Sequence, residues 1–301
     1  MQNFTLIGHK KEIKDKAKTL SQALTLLRDF VGETFVIKYS GAAMNDPELA
    51  DAFASDVIAM REMGLKVIIV HGGTHKVNTM LDKFDIKSPY VDGVRVTDQP
   101  TIDMIEMIMS GLINKQIVAN INRMGGSAIG ISGKDGHLIE AKRIRKTRSD
   151  PKSNIEKIVD LGFMGEVSIV DHEILLALED TDIIPVISPI AIGEQGETFQ
   201  VNADEVAGAI ASSLAACKLI LMTDSPGLVH NGAIQNSLSL INLEKLLKEI
   251  TIDPNLNAKI NIGINALKFQ TEAFHLIDGR VPHSLLLEIF TEERLGTMIY
   301  I

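Results

Sequence analysis

The strongest constraint on this chain's fold is a unit that occurs twice in succession: a short β-branched run, a small glycine-bearing turn, then a helical segment. Phe35-Val36-Ile37-Lys38-Tyr39 opens into Ser40-Gly41-Ala42-Ala43-Met44, and Val67-Ile68-Ile69-Val70 opens into His71-Gly72-Gly73-Thr74. A strand followed by a helix and a further strand returns as a parallel neighbour, because antiparallel pairing needs only a short hairpin. Both turns then fall on one edge of a parallel sheet, where backbone N–H groups and helix starts gather to meet an anion. Lys38 is delivered to that edge at its strand's end. By spacing alone it reads equally well as a solvated lysine beside glycines that merely make tight turns.

The alternation continues. Strands are expected at 34–39, 66–71, 128–131, 183–189, 218–223, 274–278 and 297–301, and helices at 47–63, 75–85, 101–124, 172–179, 203–216, 243–250 and 256–272. Residues 137–170 read as short antiparallel strands with basic loops. Such a pattern gives an α/β chain, a mainly parallel sheet covered by helices on both faces. The turn-forming run Gly193-Glu194-Gln195-Gly196-Glu197 is the best break, dividing lobes 31–195 and 196–301. Ahead of them, 9–30 reads as an amphipathic helix with Ile13, Ala17, Leu20, Leu24 and Leu27 in one stripe. That stripe could bury itself on its own domain or on a second subunit.

Composition narrows the function. A net charge of −9 over 301 residues, with no dense Lys/Arg stripe, argues against nucleic acid. The basic cluster Lys142 to Lys152 reads as a solvated loop. The single cysteine, Cys217, excludes an internal disulfide framework and reads as a buried bystander. The chain has no run of eighteen apolar residues and no apolar signal core at its start, so a reducing cytoplasm and no membrane partner are expected.

Three sites carry candidate chemistry. The first is Lys38 with the two glycine turns. A P-loop is excluded there and at Gly133-Lys134, where the flanking positions hold Ala128 and Asp135; no dinucleotide glycine fingerprint follows a strand either. The second is Asn202 and Asp204 at the mouth of an Ala-rich helix, which could simply cap it. The third is Lys218-Leu219-Ile220-Leu221-Met222-Thr223-Asp224-Ser225-Pro226-Gly227, a buried strand whose terminal acid suits ribose hydroxyls or a plain turn.

Seven motifs occur in order: Lys38-Tyr39-Ser40-Gly41-Ala42-Ala43-Met44; His71-Gly72-Gly73; Gly93-Val94-Arg95-Val96-Thr97-Asp98; Ser132-Gly133-Lys134-Asp135-Gly136; Asn202-Ala203-Asp204; Thr223-Asp224-Ser225-Pro226-Gly227; Ile277-Asp278-Gly279-Arg280-Val281-Pro282-His283. Together they resemble the N-acetylglutamate kinases of the amino acid kinase family, over about residue 12 to the end of the chain. The resemblance implies a three-layer αβα sandwich, with the amino-acid substrate in the N-terminal lobe and MgATP in the C-terminal lobe. It implies phosphorylation of N-acetyl-L-glutamate by ATP, with Mg²⁺ carried on the phosphates. Lys38 and Lys259 would be the catalytic lysines and Asp204 would hold both in place. Gly72, Gly73, Thr74, Arg95, Gln200 and Asn202 would bind the acylated amino acid; Ser40, Gly41, Asp224, Gly227 and Lys259 would bind the nucleotide. Outside the resemblance, Lys259 reads as a solvated helix lysine.

Departures from the family pattern concentrate at the acyl-amino-acid pocket. Ser40 and Thr74 stand where glycines are usual, His75 where proline or a small residue is usual, and Gln200 where asparagine is usual. The alternative implied is a protein of the same fold that takes a different acylated amino acid, or senses one without catalysis. The helix at 9–30 resembles the extension that links dimers into arginine-inhibited hexamers, so a homo-oligomer is expected. Arg294 occupies a usual glycine position beside the arginine pocket, which implies weak or absent arginine inhibition.

Overall fold

The computed structural model describes residues 17–18, 21–91, 93–150, 153–291 and 294–301. The helices are α1 (21–30), α2 (Ala42–Asn45), α3 (Pro47–Glu62), α4 (Thr74–Lys83), α5 (Gln99–Glu106), α6 (Asn114–Arg123), α7 (Glu173–Glu179), α8 (Ala203–Ser213), α9 (Leu240–Glu249), α10 (Pro254–Lys268) and α11 (Ser284–Phe290). The strands are β1 (Thr34–Tyr39), β2 (Lys66–His71), β3 (Tyr90–Val91), β4 (Val94–Arg95), β5 (Ala128–Ser132), β6 (Ile139–Asp150), β7 (Ser153–Val170), β8 (Ile184–Ser188), β9 (Ile190–Ile192), β10 (Thr198–Val201), β11 (Lys218–Thr223), β12 (Val229–His230), β13 (Ala233–Ile234), β14 (Ser237–Ser239), β15 (Ala273–Asp278) and β16 (Thr297–Tyr300).

An eight-stranded sheet in the order β14-β16-β15-β11-β1-β2-β8-β5 forms the middle layer. Its pairs from β11 to β5 are parallel, and β16 alone runs antiparallel to its neighbour β15. Both faces are buried, which is why β1 and β2 read as unbroken apolar runs rather than as alternating patterns. On one face Phe35, Ile37 and Tyr39 meet Phe53, Val57 and Met60 of α3. On the other, Val36, Val70 and Leu221 meet Val206, Ala207 and Ile210 of α8. Among the described residues, no helix is long and apolar enough to cross a membrane.

Four expectations are corrected. Residues 137–170 are not short strands: β6 and β7 form one long hairpin with three register shifts, and with β9 and β10 they close a small barrel. Bulges let long strands twist and bend enough to close, and the apolar pattern alone does not register them. The described part of the basic cluster, from Lys142 onward, lies in β6 and not in a loop. The helix expected at 101–124 is interrupted by a π-helical turn, Met107–Ile113, between α5 and α6. Finally, the face of α1 that packs on the domain is Ala23, Leu26, Leu27 and Phe30, with Phe30 edge-on to Phe35 at 5.4 Å, whereas Leu24 points outward. Most of the 9–20 stretch lies outside the described residues. The run Gly193–Glu197 is the tight turn joining the antiparallel β9 and β10, closed by the Gly193 N–H on the Glu197 carbonyl at 2.8 Å.

Candidate active site

A parallel sheet ends its strands on one side, and the turns after β1 and β2 meet there. Tyr39 fixes the first turn: its ring stacks on Phe53 at 3.7 Å and its hydroxyl donates to the Ala43 carbonyl at 2.6 Å. Gly41 has φ +74, and a Cβ there would stand 2.3 Å from Asp224 Oδ1, so only glycine fits. That carboxylate, at the end of β11, accepts the Ala42 N–H at 2.9 Å. In the second turn a Cβ on Gly73 would reach within 2.5 Å of Ile113 and 2.8 Å of Met109, both carried by the π-helical turn. Gly73 supplies no side-chain cap to α4, so the first N–H groups of that helix remain available to an anion. His71, wholly buried, has its Nδ1 at 2.8 Å from the Gly72 carbonyl. Burial drives its pKa down to about 4, so the ring is neutral and Nδ1–H donates to that carbonyl, holding the turn.

These turns open on a cavity of about 500 Å³. Lys38, Ser40, Gly41, Gly72, Gly73, Thr74, Arg95, Gln200, Asn202, Asp204 and Lys259 all line it. Asp224 and Gly227 do not; Asp224 holds the β1 turn from behind, and Gly227, at φ +108, lies against Thr297. Asn202 caps α8 by accepting the Asp204 N–H at 2.8 Å, so capping and site placement are one arrangement and not alternatives. Asp204 stands between the two lysines. Lys38 Nζ lies 2.9 Å from its Oδ1 as an ion pair lacking the alignment of a directed hydrogen bond, and Lys259 Nζ donates to its Oδ2. Lys38 also donates to the Ser40 hydroxyl.

Electrostatics follow from this burial. Desolvation, reinforced by the Lys259 charge, lowers the Lys38 pKa below the ordinary lysine value despite Asp204. Burial pushes Asp204 upward, but the two lysine charges outweigh it and hold its carboxyl below the usual carboxylate range. The four cations lining the cavity (Lys38, Lys76, Arg95, Lys259) face one carboxylate, Asp204, which suits a polyanionic guest. Gln200 Oε1 is buried without a hydrogen-bond partner among the described residues, an acceptor awaiting an N–H. Cys217 takes no part: it is buried, and its thiol is pushed up to about 12, chiefly by burial.

Because Lys38 titrates low, it loses its proton as pH rises while an ordinary lysine would still be charged. Expected is a kcat/KM that falls about tenfold per pH unit above that depressed value, and a flattened alkaline limb in Lys38→Arg, whose guanidinium stays charged. A wild-type profile level up to the ordinary lysine range would contradict this. The measurement is a pH–rate profile with both substrates well below saturation, which reports the free enzyme.

Sequence reasoning missed Lys76, Met109, Ile113 and Met164, which also line the cavity. Lys76 lies in the first turn of α4, directly after Gly72-Gly73, so its place was open to inference. Met109 and Ile113 reach the cavity through the π-helical turn, and Met164 through a strand of the barrel; periodicity announces neither.

Comparison with known proteins places the chain in a family. Residues 33–268 match the model of the amino acid kinase family. An acetylglutamate kinase of Rhodospirillum rubrum is 48% identical over 285 residues, covering 94% of this chain and 92% of that protein. An acetylglutamate kinase of Ehrlichia chaffeensis is 44% identical over 301 residues, covering 99% and 94%. In three dimensions, an N-acetylglutamate synthase from Neisseria gonorrhoeae, solved with coenzyme A and N-acetyl-glutamate, superposes with a TM-score of 0.79 at 21% identity. The match covers 95% of this chain but 63% of that structure, so it speaks for the fold alone.

Proposed function

The chain belongs to the amino acid kinase family, and from that premise we propose that it transfers the γ-phosphoryl group of ATP to the side-chain carboxylate of N-acetyl-L-glutamate. The products are ADP and N-acetyl-L-glutamyl 5-phosphate, a step of arginine biosynthesis. The observation that carries the reading is the Lys38–Asp204–Lys259 bridge in a cation-rich cavity ringed by glycine turns.

The chemistry needs no general base, since the attacking carboxylate is already ionised at pH 7. One of its oxygens bonds to the γ-phosphorus as the bond to the β,γ-bridging oxygen breaks, and that electron pair leaves with ADP. Two anions must approach each other while charge spreads over the transferring oxygens, so positioning and positive charge make up most of the catalysis. Lys38 and Lys259 neutralise that charge, and Asp204 fixes both. The free N–H groups at the start of α4 take developing charge, as an oxyanion hole does. Arg95 clamps the α-carboxylate, and Gln200 Oε1 accepts the substrate's amide N–H. Mg²⁺ enters on the phosphates; both Asp204 oxygens are engaged by lysines, and no cluster of metal-ligating side chains exists among the described residues.

The division into an amino-acid lobe (31–195) and a nucleotide lobe (196–301), with Ser40, Gly41, Asp224 and Gly227 at the nucleotide, belongs to this proposal, as do a cytoplasmic location and assembly into dimers or hexamers through the N-terminal helix. Arg294 reaches Met298 Sδ with Nη1, and its added charge underlies the proposed weak response to arginine. The test is a coupled ADP-release assay. Fast turnover with N-acetyl-L-glutamate and silence with L-glutamate is expected; preference for free glutamate or another acylated amino acid, or silence with all of them, overturns the reading.

A further inference from the structure

Opposite Arg95 in the β3–β4 hairpin sits Tyr90, its direct cross-strand partner. The guanidinium carbon lies 4.7 Å from the centre of the Tyr90 ring. Arg95 Nη2 donates both to the Tyr90 hydroxyl and to Asn78 Oδ1, and the Tyr90 hydroxyl in turn donates to Asn78 Oδ1 at 3.2 Å. Among the described residues nothing takes Nε or Nη1. Behind this cluster lies a second cavity of about 520 Å³, walled by Tyr90, Arg95 and Asn78 and by Asp82, Lys87 and Pro89. Tyr90 and Arg95 wall the main cavity as well. The guanidinium thus stands in a partition between two spaces, and Tyr90 and Asn78 are the side chains that hydrogen-bond it in place.

We infer that Tyr90, with Asn78, is a positioning residue for substrate recognition. The ring and hydroxyl together hold Nη2 and fix the plane of the guanidinium, so that the N–H groups of Nη1 and Nε are set in place to donate singly to the α-carboxylate of the acylated amino acid. Asn78 belongs to α4, the helix that begins at the glycine turn, so the clamp also ties the hairpin to the anion-binding edge. This inference rests on the reading of Arg95 as the carboxylate clamp. A charge-assisted hydrogen bond is roughly twice as strong as a neutral one, and a cation–π contact adds to it, so losing both loosens the guanidinium more than losing one.

The experiment is steady-state kinetics on the full chain and on Tyr90→Phe, Tyr90→Leu, Arg95→Ala and the Tyr90→Phe/Arg95→Ala double variant. Tyr90→Phe is expected to raise KM for N-acetylglutamate about fivefold and Tyr90→Leu more than about tenfold, with kcat and KM for ATP within about twofold of wild type. In the Arg95→Ala background Tyr90→Phe is expected to add nothing, because its effect runs through the guanidinium. Unchanged KM in Tyr90→Leu, equal losses in both backgrounds, or a parallel rise in KM for ATP with a lowered Tm overturns the inference. Wild-type silence with N-acetylglutamate instead overturns the reading beneath it.

Discussion

Replacing Lys38 or Lys259 by methionine lowers kcat by about 10²–10³, the cost of about 3–4 kcal/mol in barrier that follows loss of one charge-stabilising donor. Both ammonium groups touch the same carboxylate from different elements, β1 and α10, so each is held and neither can replace the other. Methionine keeps the length and apolar stem of the lysine. At Lys38, which is buried and already desolvated, it removes one of two cations while Asp204 keeps its pairing with Lys259, so no charge is left buried without a partner, the fold persists and the loss is chemical. KM for either substrate changes far less than kcat, because charge on the transferring group is greatest in the transition state. Single-turnover rates with saturating ATP and N-acetylglutamate read this directly; a variant with wild-type kcat removes the lysine pair from the mechanism.

The second large effect is at Asp204. Asp204→Asn leaves two cations facing each other across a site where the lysine side chains are only 8% and 19% exposed. Removing one partner of a buried ion pair costs about 3–5 kcal/mol, so the apo protein should lose that order of stability, read as a lower Tm. Nucleotide should restore much of it, since phosphate charge takes the carboxylate's place and binding to the native state alone stabilises by mass action. Turnover should fall at least about a hundredfold, because the lysines are neutralised but no longer placed. The pH dependence of stability carries the same sign. Folding lowers the Asp204 pKa, so its contribution is present above the usual carboxylate pKa and lost as pH falls through the depressed value. In Asp204→Asn that acid-side loss should shrink. Wild-type Tm in the variant, with or without ATP, would show that the carboxylate bears no such load.

The elements of the main sheet were legible because local physics and burial agree there. Val67-Ile68-Ile69-Val70 has no alternation to mislead, since both of its faces are covered, and the glycine turns that follow β1 and β2 stop each strand where the register requires. Asp46 and Pro47, and likewise Asp253 and Pro254, mark helix starts by satisfying or removing the N–H groups that a first turn leaves free. The barrel was not legible. Its hairpin depends on register shifts at Glu140/Ala141, Arg143/Arg145 and Ser149/Asp150, and a bulge leaves no periodic trace.

The sequence by itself determined which groups could do the chemistry: a lysine at a strand end, glycines in the turns after two strands, and Asn202 and Asp204 at a helix mouth. Only the tertiary structure decided that Lys38 and Lys259, more than two hundred residues apart, share Asp204. It also decided that Asp224 holds a turn from behind the cavity and that Tyr90 braces Arg95. The physical reason is one of range. Propensity, capping and turn geometry act within a few residues and are written locally. Ion pairing, desolvation and the walls of a cavity depend on distances that only the packing of the sheet and its helices can set.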